Sequence, residues 1–407
     1  MVPGGNSVNT SLYNKWIEVE TEAIKANLAA VQSLLGERVR LIAVVKADAY
    51  GHGAVEAARI LFQNGVDFFA VSYLEEARDL RQGGIRSSLL LFTPLIDEEQ
   101  AAQALTEHIT LSITSRQDAE LILKVSERIP GPITVHLKID TGLGRFGLDR
   151  DAAVEICETF RSHPHIYIEG IYTHMAAAAA HPGYTRQQFR RFIKITEELT
   201  AAGYRIPVRH CANSTVCIKY PEMRLEAVRI GTLLSGQFPA GVESSQVKLQ
   251  DPYQFKARII SLRTLPKGSY LGYYRTYRLK KEAQVAVVPV GFNDGLALEV
   301  ANPPAGFVDL LKILVKTVLA YLGFSRFQLQ VIIKGRSYPV RGKVFMQMAL
   351  VELPREADIK VGDVVALPVR KTLAARNLTR VYVKEGRPCK IEEEGRITYL
   401  IKEGKDA

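Results

Sequence analysis

The stretch AVVKADAYGHG, residues 43–53, closes an apolar run (LIAVV, 41–45) with Lys46 and follows it with a turn-prone DAYGHG. A lysine at a strand end ordinarily reaches water. An amine kept out of water loses affinity for its proton and becomes a nucleophile toward carbonyl carbon. Other apolar runs also end in polar chemistry. ITVHLKI (133–139) delivers Lys138 and Asp140 ahead of TGLGRFG, and IYIEGIYTH (166–174) ends in His174. IPVRH (206–210) ends in His210 ahead of CANS, and LEAVRI (225–230) carries Arg229 into IGT. ANS (Ala212–Ser214) opens a helix, where a hydroxyl and free backbone N–H groups bind phosphate. Ser214 also reads as an N-cap, and the two roles are compatible. A desolvated lysine facing a phosphate site is the chemistry of pyridoxal phosphate, whose aldehyde condenses with the amine.

Those side chains need elements that bring them to one place. Apolar runs at 41–45, 67–72, 88–92, 109–113, 133–139, 166–174, 206–210 and 225–230 alternate with helical patterns. The helices include one with Ile24, Leu28, Val31 and Leu35 on one face, and others near 54–64, 117–128, 151–161 and 185–202. Several runs are continuously apolar, as strands buried on both faces are. Eight strands alternating with helices predict an α/β chain with an N-terminal (β/α)8 barrel, whose functional residues lie at the C-terminal strand ends. A doubly wound open sheet is the alternative. Past residue 240 short strands dominate, at 254–263, 285–290, 329–333, 344–351 and 362–366. The predicted organisation is an extension over 1–13, the barrel over 14–239 and a β-rich C-terminal domain over 240–407. That domain carries a helical insertion near 303–327, with Leu311, Leu314, Val315, Val318 and Leu322 at helical spacing. The insertion reads as a helix packed on the second domain or on a partner subunit. The charged tail, 385–407, reads as peripheral.

The 407 residues are 47% hydrophobic and 24% charged, a globular composition. The net charge of +10 comes without a Lys/Arg block interleaved with aromatics, so nucleic acid is not an expected partner. Anionic small molecules are the milder reading. Cys157, Cys211, Cys217 and Cys389 lack zinc-type spacing and read as reduced thiols. The N-terminus lacks a signal-peptide pattern, and no apolar run approaches the length of a membrane span, so no membrane partner is expected and the cytoplasm is the expected location.

VVKADAYGHG closely resembles the cofactor-lysine motif of the alanine racemase family. HLKIDTGLGRFG (136–147), EGIYTH (169–174), HCANS (210–214), VRIGTLLSG (228–236), LGYYRTY (271–277) and VPVGFNDG (288–295) resemble its further motifs, in order. The resemblance implies a pyridoxal 5'-phosphate enzyme with Lys46 holding the cofactor and serving as one base. Tyr273, from the second domain of the other subunit of a homodimer, is implied as the opposite base. Racemisation needs a proton removed from one face of the α-carbon and returned on the other. His174 is implied to hydrogen-bond toward Tyr273 and Arg229, and Arg229 to face the pyridine nitrogen. Tyr50, Asn213, Ser214, Gly231 and Thr232 are implied at the cofactor and its phosphate. Arg145 is implied at the phenolic oxygen and the substrate carboxylate, Met346 at the substrate, and Lys138 as a lysine that carbamylation turns into an anion. His52 and His210 read as structural, and Asp48 as a turn residue. No metal is expected.

The chain departs from the family pattern in three places. GKVFMQM (342–348) has Gln347 where the family carries a carboxylate, 303–327 looks inserted, and a C-terminal active-site tyrosine finds only Tyr382 as a candidate by position. Alanine racemisation supplying D-alanine for peptidoglycan is the first functional reading. A racemase of broader range, such as serine, a non-catalytic cofactor-binding relative and a decarboxylase of the shared barrel fold are the alternatives. A decarboxylase of that kind uses a second-domain cysteine as acid, and only Cys389 lies there. Retention of Tyr273 speaks against a binding module, which has no need of a second base.

Overall fold

The computed structural model describes residues 13–129, 131–243, 247–299, 304, 306–322, 324, 327–374 and 378–400. Contacts divide the chain into a barrel unit, Thr21–Pro252, and a sheet unit made of Met1–Glu20 and Tyr253–Ala407.

In the barrel unit the strands are β2 (Arg40–Val44), β3 (Phe68–Val71), β4 (Ser88–Leu91), β5 (Thr110–Ile113), β6 (Ile133–Lys138), β7 (Ile166–Tyr172), β8 (Val208–His210) and β9 (Ala227–Ile230). All eight expected runs are strands, paired in the order β8-β7-β6-β5-β4-β3-β2-β9. The last strand returns to the first, from Arg40↔Ala227 to Ala43↔Ile230 in parallel register. The β8/β9 seam is crossed by an Ala212↔Val228 bridge. A first strand paired with the last makes a nearly closed barrel, which an open doubly wound sheet cannot be. Strands β3, β5 and β9 are buried along their whole length; β3 (FFAV) is continuously apolar, while β5 and β9 also bury Thr110, Ser112 and Arg229. Ile42, Val44, Phe68, Ala70, Leu90 and Ala227 pack in one cluster. The helix Thr21–Leu35 buries all four residues of its predicted face.

The sheet unit holds a mixed eleven-stranded sheet and a separate two-stranded ribbon, Tyr270–Leu271 with Tyr277–Arg278. Its first strand, β1 (Lys15–Glu20), falls inside the 14–239 segment expected to be barrel. It instead pairs antiparallel with β10 (Tyr253–Arg258) and parallel with β19 (Arg380–Lys384). The unit continues through β11 (Ser261–Leu265), β12 (Tyr270–Leu271), β13 (Tyr277–Arg278), β14 (Ala283–Val288), β15 (Gln330–Ile333), β16 (Arg336–Arg341), β17 (Ala349–Leu353) and β18 (Val364–Leu367). The tail expected to be peripheral supplies β20 (Arg387–Glu393) and β21 (Arg396–Tyr399), which extend the sheet beyond β19. Residues 344–348, expected as strand, form a loop instead. Phe292 and Asn293 donate backbone N–H bonds to the carbonyls of Phe345 and Met346, at 3.0 and 2.9 Å. A Cβ on Gly291 would lie 2.2 Å from the Phe345 carbonyl oxygen, so the GFNDG motif is the cradle that holds this loop.

The insertion forms a helix, Phe307–Tyr321, with no buried residue. Leu311, Leu314, Val315, Val318 and Leu322 are about half exposed or more, so the packing on the second domain expected from their spacing is not made. No helix among the described residues is long and apolar enough to cross a membrane. None of the four cysteines forms a disulfide, and three of them are buried.

Candidate active site

Lys46 leaves β2 through an unusual turn. Ala47, Asp48, Ala49 and Tyr50 all have φ between 49° and 58°. Four consecutive non-glycine residues in the left-handed region cost about 1–2 kcal/mol each. The neighbourhood holds them there. Glu76 accepts from the Ala47 N–H at 2.6 Å and from the Ser72 and Tyr73 N–H groups at 2.8 and 3.2 Å. Asp48 Oδ1 accepts from the Ala54 N–H at 2.7 Å, the turn role expected of it. The tight left-handed coil aims both Lys46 and Tyr50 into one cavity. Gly231 makes room, since a Cβ there would lie 2.1 Å from the Tyr50 hydroxyl.

That cavity, of about 310 Å³, is lined by ten of the expected residues: Lys46, Tyr50, Lys138, Arg145, His174, Asn213, Ser214, Arg229, Gly231 and Thr232. They come from different strand ends and meet because barrel strands converge at their C-terminal rim. Asp140 positions the Arg145 loop by accepting from the Gly142, Leu143 and Gly144 N–H groups at 2.9–3.0 Å. Asn213, rather than Ser214, is the N-cap of the helix Ser214–Lys219, accepting from the Val216 N–H at 3.0 Å. Ser214 is left facing the cavity as the first helical residue.

Four cations crowd this rim, and the crowding sets their chemistry. Burial, then Arg145 and Arg229, lowers the Lys46 pKa, while Glu76 works against the fall. Lys138 is lowered to about 7, by burial first and then by Arg145, Arg229 and Lys46. Its ammonium lies 3.4 Å from the centroid of the Phe146 ring. His174 is lowered to about 3 by burial and then Arg229, so the ring is neutral. Arg229 is only 4% exposed and lies 3.4 Å from His174 Nδ1.

Tyr273 and Met346 lie in the sheet unit, 65% and 61% exposed. The Tyr273 ring packs 5.0 Å from Phe345, on the loop cradled by Gly291. Tyr382 is not available as an active-site tyrosine. It is fully buried in β19, and its hydroxyl donates to Glu392 at 2.7 Å. Gln347 is exposed. Sequence reasoning missed Tyr172 and Phe92, which also line the cavity. Tyr172 was findable, because it stands two residues before His174 on the same strand face. Glu76 carried no signal, since nothing in its surroundings announces the turn it pins.

A desolvated amine beside the Tyr50, Ser214 and Thr232 hydroxyls, on the rim of a (β/α)8 barrel, is an arrangement that can bind an anionic carbonyl compound. The comparisons with known proteins give that arrangement a family. Residues 19–239 match the model of the alanine racemase N-terminal domain, and residues 253–382 that of the C-terminal domain. The chain is 31% identical over 355 residues to an alanine racemase of Methanococcus maripaludis, covering 86% of this chain and 88% of that one. It is 33% identical over 356 residues to an alanine racemase of Desulforamulus reducens, covering 86% and 89%. The solved alanine racemase of Clostridium difficile 630 superposes with a TM-score of 0.82 at 27% identity, over 94% of this chain and 98% of that one. The chain belongs to the alanine racemase family and is an amino-acid racemase.

Proposed function

We propose that the protein interconverts L- and D-alanine with pyridoxal 5'-phosphate, working as a cytoplasmic homodimer that supplies D-alanine for cell-wall synthesis. The observation that carries this reading is Lys46, an amine of lowered pKa sharing one cavity with Tyr50, Ser214, Gly231, Thr232 and Arg229. The residues fit the cofactor. The missing side chain at Gly231 clears the approach to Tyr50, and the hydroxyl donors of Tyr50, Ser214 and Thr232 match the acceptor oxygens of a phosphate. When bound, the cofactor supplies an electron sink that acidifies the α-hydrogen of the amino acid.

The chain's own groups do the rest. Arg145 binds the substrate carboxylate, and Met346 lines the substrate's place. Lys46 Nζ takes or returns the proton on one face of the α-carbon, and the Tyr273 hydroxyl of the partner subunit serves the other face. Arg229 would face the pyridine nitrogen as a donor that keeps its proton, which would weaken the electron sink and limit side reactions such as transamination. Lys138, with a pKa of about 7, is substantially unprotonated at neutral pH. Its lone pair can add to carbon dioxide with loss of a proton to water, and the anion formed would neutralise and orient Arg145.

Both alanine enantiomers are expected to exchange their α-proton in heavy water with the cofactor-loaded protein. Tyr273→Phe should cut abstraction from one enantiomer while cofactor absorbance stays intact. Cofactor-loaded protein that exchanges neither enantiomer overturns the proposal, and faster exchange of serine reassigns the substrate.

A further inference from the structure

Arg229 is held from behind by groups that line no part of the cavity. Its Nη1 donates to His210 Nδ1 at 2.7 Å and to the His210 carbonyl at 2.9 Å, and its Nη2 donates to the Thr173 carbonyl at 2.7 Å. His210 Nε2 lies 2.9 Å from His136 Nδ1, and His136 Nε2 lies 3.1 Å from Glu169 Oε2. Glu169 in turn lies 3.8 Å from Arg40. Both histidines are fully buried. The file of side chains runs through the barrel interior, from the rim at Arg229 to a partly exposed carboxylate.

The chain is built for this contact. Strand β7 carries a bulge opposite β6. Val135 pairs with Ile168 and His136 with Gly170, leaving Glu169 as the extra residue. A bulge re-aims the side chain it carries, and here the re-aimed carboxylate meets His136. A Cβ on Gly170 would lie 2.5 Å from the His136 ring, so glycine there is what admits the imidazole. An ordinary β7 register would send residue 169 elsewhere and close the file.

The protons in this file have one order. A guanidinium can only donate, so His210 Nδ1 accepts and its proton sits on Nε2. That proton is donated to His136 Nδ1, which places the His136 proton on Nε2. An ionised carboxylate can only accept, so Glu169 receives it. Both ends impose the same two tautomers, with both rings neutral. Burial keeps both rings from charging, and the His136 hydrogen bond holds the Glu169 carboxyl below its usual range.

We propose that Glu169, acting through His136 and His210, is a positioning residue that fixes Arg229 at the floor of the cavity and offsets its charge. The proposal rests on the reading that Arg229 faces the cofactor's pyridine nitrogen. Without the carboxylate the His136 Nε2–H loses its acceptor, the proton order loses its anchor, and Arg229 loses its single orientation.

The test uses the cofactor-loaded protein and three variants. Nitrogen NMR of labelled histidine in the unsubstituted protein is expected to show both His136 and His210 as Nε2–H tautomers from pH 6 to 9. Glu169→Leu is expected to mix the tautomers and lower kcat about tenfold, as a small displacement of a positioned group does, with KM for alanine within about twofold. It should also raise transamination relative to racemisation. Glu169→Gln, which keeps an accepting oxygen, and Glu169→Asp should recover part of the loss, and they keep the test usable if the leucine variant misfolds. Unchanged tautomers and unchanged kcat in the variants overturn the relay. Failure of the unsubstituted protein to racemise alanine would overturn the functional reading instead, with the tautomer spectra still deciding the relay.

Discussion

Lys138 shows how far one side chain's chemistry depends on its neighbours. It is 3% exposed and faces Arg145, Arg229 and Lys46, which with burial bring its pKa to about 7. An unfolded lysine titrates near 10.4. Between those values the unfolded chain binds more protons than the folded one, so the stability of the unliganded protein rises with pH from about 7 to about 10.4. At and below neutrality the folded protein carries the full penalty. Lys138→Met is therefore expected to stabilise the cofactor-free protein at pH 7 in buffer free of carbon dioxide. The gain should be roughly 1–4 kcal/mol, the range seen when buried ionic groups give way to well-packed apolar side chains. The gain should fade by about pH 10.5, where the amine is neutral in both states. Thermal unfolding at the two pH values measures it. Equal stability of the two proteins at pH 7 would mean that the four cations do not strain the fold. Added bicarbonate should narrow the gap, because an anion at Lys138 offsets Arg145 and Arg229.

At the scale of elements, the left-handed turn after β2 decides where the amine points. Its φ values lie in a region costly for every residue it contains, so the turn depends on Glu76 holding the Ala47 N–H at its start and Asp48 holding the Ala54 N–H just past its end. Glu76→Ala frees three backbone donors, those of Ala47, Ser72 and Tyr73. The expected cost is about 1–3 kcal/mol for polar groups left unpaired, read by urea unfolding. Weaker pyridoxal phosphate binding should accompany it, since Lys46 and Tyr50 ride on the turn. Full retention of cofactor affinity would show that the coil holds itself. The sequence named the lysine and the tyrosine, but nothing in KADAYG announces four left-handed residues. The same limit appears elsewhere. Barrel strands such as β3 and β4 were legible because burial on both faces writes a nearly unbroken apolar run. Strand β1, KWIEVE, buries Trp16, Ile17 and Val19 among three half-buried charged residues, and its partners β10 and β19 lie hundreds of residues away, so its sheet could not be read. Strands β20 and β21 lie in the charged stretch 385–407 at the end of the strand order, and that charge made it read as a peripheral tail. Glu169 looked like an ordinary strand residue until the bulge turned it toward His136.

Over the whole molecule the charge is divided rather than spread. The sheet unit has 28 Lys and Arg against 16 Asp and Glu, a net of +12, while the barrel unit has 25 against 27, a net of −2. Attraction of an anionic ligand to the barrel therefore comes from four cations focused at one rim and not from its net charge. The ten lining residues all belong to the barrel unit, whereas Tyr273 and Met346 belong to the sheet unit. If the second base arrives from a partner subunit, two kinds of inactive chain should repair one another. Lys46→Ala lacks the amine, and Tyr273→Phe lacks the hydroxyl. In a mixed dimer of the two, one site receives both lesions and the other receives neither. Random reassortment of equal amounts in a two-fold dimer should thus restore about a quarter of the wild-type activity. Racemisation assayed before and after mild dissociation and remixing measures this directly. Activity that stays at the level of the separate variants, in a mixture shown by mass to contain mixed dimers, would place Tyr273 and Lys46 in the same chain's site and remove the partner from the mechanism.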